Sequence, residues 1–208
     1  MKAWLMTACL AFSVSNVQAE ALMEGLDAYD RGNYTAAMLF FEEACDNDNM
    51  EACYNLANMY DNGVGVYKDD QKAASLFQKS CDGGFVGSCY NLGVMLEQGE
   101  GVQKDLLKAF SLYETSCEKG HVRGCYSEAL MYYQAKGVHK DEIKAAQLFQ
   151  KACDAKYAPS CFNLGVMYRE GQGVNKEWSK ALELFNQACH LDFDLGCKNY
   201  LILKDKMP

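Results

Sequence analysis

The sequence predicts an all-α fold, an α/α solenoid built from a repeated pair of helices. Ten of the eleven cysteines fall into five pairs on a 36-residue period, and the two members of a pair lie eight positions apart. A fixed period of this length is typical of helix-pair repeats that stack on their neighbours. Apolar residues within each period also follow helical spacing, which indicates the same fold class.

The first segment, residues 1–19, is typical of a secretory signal peptide. Lys2 precedes an apolar run over residues 3–14, and Ala19 ends a small-residue cleavage site. A run of about a dozen apolar residues is too short for a membrane-spanning helix, which needs about 20. Cleavage after Ala19 would also remove the unpaired Cys9. We therefore expect a secreted or periplasmic protein with no membrane span once the signal is removed.

Charge and composition exclude several classes of partner. The formal net charge is -8, and removal of Lys2 with the signal would make it -9. No basic block is present that could neutralise a phosphate backbone, so nucleic acid is not an expected partner. The three histidines lack the spacing of metal ligands and the cysteines are assigned to disulfides. We therefore expect no metal site and no cofactor.

The exported chain divides into a divergent helix pair, four full repeats and a terminal capping helix. The predicted segments are 20–52, 53–88, 89–124, 125–160, 161–196 and 197–208. Each full repeat opens with a first helix, helix A, at its cysteine and reaches a glycine turn such as Gly63-Val-Gly-Val66. A Lys-Asp pair such as Lys68-Asp69 follows, and its carboxylate suits the N-cap of the second helix, helix B.

The cysteine pairs predict one disulfide at each junction between repeats. Each pair joins the end of one helix B to the start of the next helix A across a short turn. In the chain-entropy model, closing a loop of about nine residues stabilises the fold by roughly 2.5 kcal/mol. The predicted bridges are Cys45–Cys53, Cys81–Cys89, Cys117–Cys125, Cys153–Cys161 and Cys189–Cys197.

Residues 163–181 resemble the Sel1-like repeat family, whose pattern is Leu-Gly, Tyr, Gly-x-Gly-Val-x-Lys-Asp and Lys-Ala. The cysteine spacing is similar to that of the cysteine-rich, secreted subgroup known from Helicobacter. The third repeat departs from the pattern, with Ala135 at the first turn glycine and Ser127-Glu128 in place of Asn-Leu. The resemblance implies a right-handed α/α superhelix, similar to tetratricopeptide arrays, with protein or peptide ligands on the concave face.

One side of helix A carries asparagines that are candidates for ligand recognition. If helix A lines the concave surface, Asn55, Asn91 and Asn163 form a series of amides that can pair with an extended peptide backbone. The alternative is that they are ordinary solvated helix residues. Aromatic residues flank this side, although most rings of the chain suit packing between repeats. The candidate ligand residues are Asn55, Asn58, Asn91, Asn163, Tyr54, Tyr90, Tyr126 and Phe162.

The resembled subgroup also implies an alternative function, a penicillin-binding protein or slow β-lactamase acting on a β-lactam or peptidoglycan-related compound. Ser116-Cys-Glu-Lys119 matches the Ser-x-x-Lys element of serine β-lactamases. The partner elements Ser-Asp-Asn and Lys-Thr-Gly do not occur, and Ser80 holds the same repeat position as Ser116 without the lysine. We therefore assign no catalytic residue and expect a binding scaffold, with β-lactam hydrolysis left open.

Overall fold

Residues 20–206 are described in a computed structural model, and every regular element in that range is an α-helix. The first helix, α1, runs to residue 30. The others are α2 Tyr34–Asp46, α3 Met50–Asn62, α4 Asp70–Asp82, α5 Val86–Gln98, α6 Leu106–Glu118, α7 Val122–Gln134, α8 Glu142–Asp154, α9 Ala158–Glu170, α10 Trp178–His190 and α11 Asp194–Lys204. This confirms the predicted fold class. The predicted signal peptide lies outside the described residues.

Helix A is longer than the sequence pattern indicates. The pattern predicts a helix that starts at the cysteine and has about ten residues, whereas α3 begins at Met50 and has 13 residues. In α3 the side chain of Asn49 caps this extra turn by accepting a hydrogen bond from the backbone N–H of Ala52 at 3.0 Å, whereas α5 and α9 begin at the equivalent positions without a side-chain cap. The extra turn places Cys53 inside the helix, where its side chain is buried.

Helix B begins where the aspartates predicted it. The side chains of Asp69, Asp105 and Asp141 each accept a backbone N–H three residues later at 2.9 Å. Glu177 holds the same position before α10 but makes no capping hydrogen bond. The turn before helix B needs a residue with a left-handed backbone conformation. Ala135 adopts this conformation, with φ of 56°, at the position where the other full repeats have glycine.

The chain forms two compact units, residues up to 104 and residues from 105 onward. In the first unit, Phe41, Leu56 and Phe77 are fully buried between consecutive helices. In the second, Phe149 and Phe185 hold the same repeat position as Phe77 and are equally buried. Each unit therefore has a core of helix B aromatics packed against the small and branched residues of helix A.

The structure contains all five predicted disulfides. Each one joins the last turn of a helix B to the first turns of the next helix A, with the two Cα atoms 4.4 to 4.7 Å apart. Near two of these disulfides, a lysine of a later helix B adds a hydrogen bond to the backbone carbonyl of the first cysteine. The Nζ of Lys79 donates to the carbonyl of Cys45 at 2.6 Å, and the Nζ of Lys151 donates to that of Cys117 at 2.9 Å. These cations satisfy carbonyls at helix C-termini, where positive charge is favoured.

Candidate functional site

The asparagine side of helix A in the first unit is half-buried and internally connected. Asn91 on α5 donates from Nδ2 to Oδ1 of Asn58 on α3 at 3.4 Å. Asn58 in turn donates to the backbone carbonyl of Tyr54 at 2.8 Å. Asn55 is also half-buried on α3. The direct amide contact between the two helices thus joins Asn91 to Asn58, one turn beyond Asn55.

The second unit has a pocket of about 140 Å³ on the corresponding side, between α7 and α9. Asn163 lies at this pocket, and its Nδ2 donates to the hydroxyl of Tyr126 at 3.4 Å. The hydroxyl of Tyr133 donates to Oε1 of Gln172 at 2.7 Å, which fixes the ring at the rim. The lining residues are Leu130, Tyr133, Gln134, Phe149, Asn163, Val166 and Met167. We call this the α7–α9 pocket.

A second pocket, of about 240 Å³, lies between α9 and α11 in the same unit. Its lining residues are Arg169, Glu170, Lys176, Trp178, Asn199, Ile202, Leu203 and Lys206. We call this the α9–α11 pocket.

The two pockets occupy equivalent positions in consecutive repeats. Asn199, Ile202 and Leu203 each come 36 residues after a residue of the α7–α9 pocket, namely Asn163, Val166 and Met167. On the opposite wall, Arg169 and Glu170 likewise come 36 residues after Tyr133 and Gln134. The second unit therefore has two pockets at positions that are related by the repeat period.

The pockets differ in charge. No charged residue lines the α7–α9 pocket, whereas the α9–α11 pocket has three cationic side chains and one carboxylate. Arg169 donates from Nη1 to Oδ1 of Asn199 at 2.9 Å, and its Nε contacts Oε1 of Glu170 at 2.7 Å. The Nζ of Lys176 lies 5.8 Å from the centre of the Trp178 ring. Arg169 is thus held in place by two neighbours within the pocket.

The aromatic candidates lie mainly in the seams between repeats. Tyr54 packs on Phe85 with ring centres 4.8 Å apart, and Phe162 packs on Phe193 at 5.5 Å. Tyr126 lies 5.1 Å from the ring of Tyr157. Like Tyr90, these rings are half-buried. Tyr126 also connects the seam to the asparagine side through its hydrogen bond with Asn163.

Ser116 and Lys119 are not arranged as a nucleophile and base at an accessible site. The side chain of Ser116 is fully buried in α6, and its hydroxyl has no partner among the described residues. Lys119 is the exposed C-cap residue of the same helix. A buried hydroxyl cannot meet a substrate carbonyl, so this fragment supplies no geometry for acyl transfer. No observation on the described residues favours β-lactam hydrolysis.

Sequence reasoning missed Asn199 and the cationic residues around it. Asn199 could have been found, because it lies 36 residues after Asn163 in the terminal half-repeat. Lys176 and Trp178 come from the turn before α10 and its first residue, whereas Lys206 follows α11. No local motif links these segments, and only the fold brings them to one pocket.

The described residues form helix pairs on a constant period, with a disulfide at each junction between pairs, and this arrangement defines a solenoid repeat protein. The Sel1 repeat family model matches residues 19–49, 51–85, 86–121, 124–157 and 158–193, and the chain belongs to this family. None of the curated proteins matches the chain. No described helix is both long enough and apolar enough to cross a membrane.

Solved structures support the same fold. The Helicobacter pylori cysteine rich protein B is 30% identical, with a TM-score of 0.51 over 63% of this chain and 94% of that protein. A Sel1 repeat protein from Oxalobacter formigenes is 24% identical, with a TM-score of 0.76 over 81% of this chain and 69% of the other. The protective antigen c5321 of uropathogenic Escherichia coli, which has an SLR fold, is 24% identical with a TM-score of 0.78 over 91% of this chain. The chain spans 40% of that antigen's length.

Proposed function

We propose that the protein is an exported scaffold that binds an extended segment of a partner protein on the A helices of its repeats. The observation that carries this proposal is the pair of equivalent pockets in the second unit, each with an asparagine in its lining. Binding positions that recur with the repeat suit a ligand that also repeats, and a peptide backbone is such a ligand. The family resemblance, which implies protein or peptide ligands, supports the same function.

Asparagine is suited to recognise a peptide backbone because its side chain donates and accepts hydrogen bonds at once. Asn163 uses Nδ2 in a long contact of 3.4 Å with Tyr126. Asn91 likewise makes a contact of 3.4 Å with Asn58. A hydrogen bond of this length is weak, so a peptide amide can replace it at little cost. We therefore assign these side chains to backbone recognition.

The disulfides support a binding role by limiting the flexibility of the scaffold. Each junction between consecutive repeats is cross-linked, which restricts motion of helix A relative to the helix B before it. A surface that is ordered before binding loses less conformational entropy when it binds. Chemical reduction is therefore expected to weaken ligand binding, even where the helices remain formed.

Five disulfides indicate an oxidising environment outside the cytoplasm. The signal peptide expected over residues 1–19 supports export to the periplasm or beyond the cell. Fractionation of cells that express the full chain tests this part of the proposal. Recovery of the protein in the cytoplasm with free thiols would contradict it.

The binding function is tested with the oxidised protein and an array of random heptapeptides that carry acetyl and amide ends. We expect the protein to retain a subset of peptides, and the variant Asn163→Ala to bind them about fivefold more weakly, because a lost hydrogen bond is worth about 1 kcal/mol. Asn175→Ala, in the exposed turn before α10, is the matched control. Failure to retain any peptide, or binding by Asn163→Ala that equals that of the parent protein, would refute the proposal.

A further inference from the structure

We infer that the α9–α11 pocket recognises an acidic side chain of the bound peptide, while the α7–α9 pocket accepts an apolar side chain of the same peptide. This inference rests on the proposed function and adds the chemistry of the ligand. It concerns the second unit alone, because both pockets lie there.

The charge of the α9–α11 pocket opposes that of the whole chain. Three cations, Arg169, Lys176 and Lys206, face a single carboxylate, Glu170, which leaves two net positive charges. The chain as a whole has a formal net charge of -8. Glu170 is already paired with Arg169, so it does not neutralise either lysine. Lys176 and Lys206 form no ion pair within residues 20–206 and remain available to a ligand.

The walls of this pocket suit a carboxylate on a short aliphatic stem. Trp178 and Ile202 are 37% and 55% exposed, so the pocket offers apolar surface beside its cations. The methylene groups of a glutamate can cover this surface while the carboxylate meets the ammonium groups. Arg169 adds a guanidinium whose orientation is fixed by Asn199. We therefore assign the pocket to a glutamate side chain.

The α7–α9 pocket has a different chemistry. Leu130, Val166 and Met167 provide its apolar lining, and the buried ring of Phe149 closes it. No charged side chain lines it. An acidic residue placed there would lose hydration without gaining a cation, which is unfavourable. The pocket therefore selects an apolar side chain.

Helix geometry gives the approximate spacing of the two side chains in the peptide. Successive A helices that share a pocket are one helix diameter apart, about 10–12 Å, and an extended chain advances about 3.3 Å per residue. The glutamate is therefore expected about three residues from the apolar residue. The direction of the peptide is left to the experiment, because both orders satisfy the two pockets.

The experiment uses the heptapeptide array with the oxidised protein. We expect the retained peptides to be enriched in an apolar residue and a glutamate about three positions apart. Replacing that glutamate by glutamine should weaken binding about tenfold, the size expected for a lost charged hydrogen bond. The variant Lys176→Ala, Lys206→Ala should lose the preference for glutamate and bind the glutamine peptide as well as the parent protein does. Lys104→Ala, Lys119→Ala removes the same charge from exposed positions outside the pocket and should keep the preference.

Each other outcome has a distinct meaning. Retained peptides without enrichment in acidic residues, or a preference for glutamate that survives Lys176→Ala, Lys206→Ala, would overturn this inference and leave the proposed function standing. A second array with free carboxyl ends tests the other source of a carboxylate. If binding there follows the free terminus and ignores glutamate, the side-chain assignment is wrong. If neither array retains any peptide, the proposed function itself fails.

Discussion

The hydroxyl of Ser88 donates a hydrogen bond to the hydroxyl of Ser80 at 2.7 Å, and Ser80 donates onward to the carbonyl of Met50 at 2.7 Å. Both serines are fully buried in the first unit. In the second unit only one residue of each equivalent pair is a serine. The residue eight positions after Ser116 is Gly124, and the residue eight positions before Ser160 is Ala152. The hydroxyls of Ser116 and Ser160 accordingly have no partner among the described residues.

This difference predicts opposite effects of one substitution at two equivalent positions. Ser80→Ala should lower the free energy of unfolding by about 1–3 kcal/mol, because it leaves the Ser88 donor unsatisfied. Ser116→Ala should raise it by about 1 kcal/mol, because it removes a buried hydroxyl that pairs with nothing. Urea unfolding of the oxidised proteins measures both changes. Equal destabilisation by the two variants would contradict the hydrogen-bond assignment.

Glu128 occupies a core position that leucine holds in the other full repeats, and its side chain is only 4% exposed. The pKa of Glu128 is raised from 4.5 to about 7, chiefly by burial and next by the nearby carboxylate of Glu114. Lys144 and Lys151 on α8 lower it, whereas Glu118 on α6 adds to the rise. The folded state therefore holds a proton on this carboxyl that the unfolded state releases.

The raised pKa predicts a loss of stability as the pH increases. Below pH 4.5 the carboxyl is protonated in both states and the shift has no effect. Between pH 4.5 and about 7 the unfolded chain loses the proton first, so the folded state becomes less favourable by about 3 kcal/mol in total, after which the effect is constant. Glu128→Leu removes this dependence. Its stability gain over the parent protein should therefore grow between pH 4 and pH 8 by roughly that amount.

The control for this prediction is Glu128→Gln, which keeps a polar side chain but does not titrate. Its unfolding free energy should show the same reduced pH dependence as that of Glu128→Leu, although its absolute value is lower. A difference between the parent protein and both variants that stays constant with pH would show that Glu128 keeps an ordinary pKa.

Two glycines with left-handed backbones are expected to respond differently to alanine. Gly173 has a φ of +65°, and a Cβ there would collide with the backbone carbonyl of Glu142. Gly120 has a φ of +88° and open space around the position of a Cβ. Gly120→Ala should cost only the left-handed conformation, about 1–2 kcal/mol. Gly173→Ala should cost clearly more, since the turn must also move away from α8. Similar melting temperatures for the two variants would contradict this contact.

The 36-residue period predicts much of the fold because the same capping and cysteine positions recur in successive repeats. Asp69, Asp105 and Asp141 cap their helices as expected, and each cysteine found the partner eight residues away. The pattern places the start of helix A too late because the repeat has no common capping residue before the cysteine: Asn49 caps α3, whereas Phe85 and Tyr157 hold the same position without a side-chain cap. A capping residue acts through one local hydrogen bond, so it does not change the spacing of the apolar residues from which the helix was predicted.

The candidate site was less accessible to sequence reasoning. Asn163 was identified, but the pockets beside it depend on residues of the neighbouring helix, such as Leu130 and Tyr133. Their contribution follows from how α7 and α9 lie against each other, which no single repeat specifies. The charge of the α9–α11 pocket was missed for the same reason, because Arg169, Lys176 and Lys206 come from three different segments.

The spacing of the cysteines has a consequence for how the protein matures. Every sulfur finds its mate only eight positions further along the chain, so oxidation at one seam does not have to wait for any distant segment to be synthesised. Bridges can close one after another from the amino to the carboxyl end, with little loop entropy to overcome at each step. Reduction of one disulfide leaves the other four intact, so each junction between repeats gains or loses its cross-link separately.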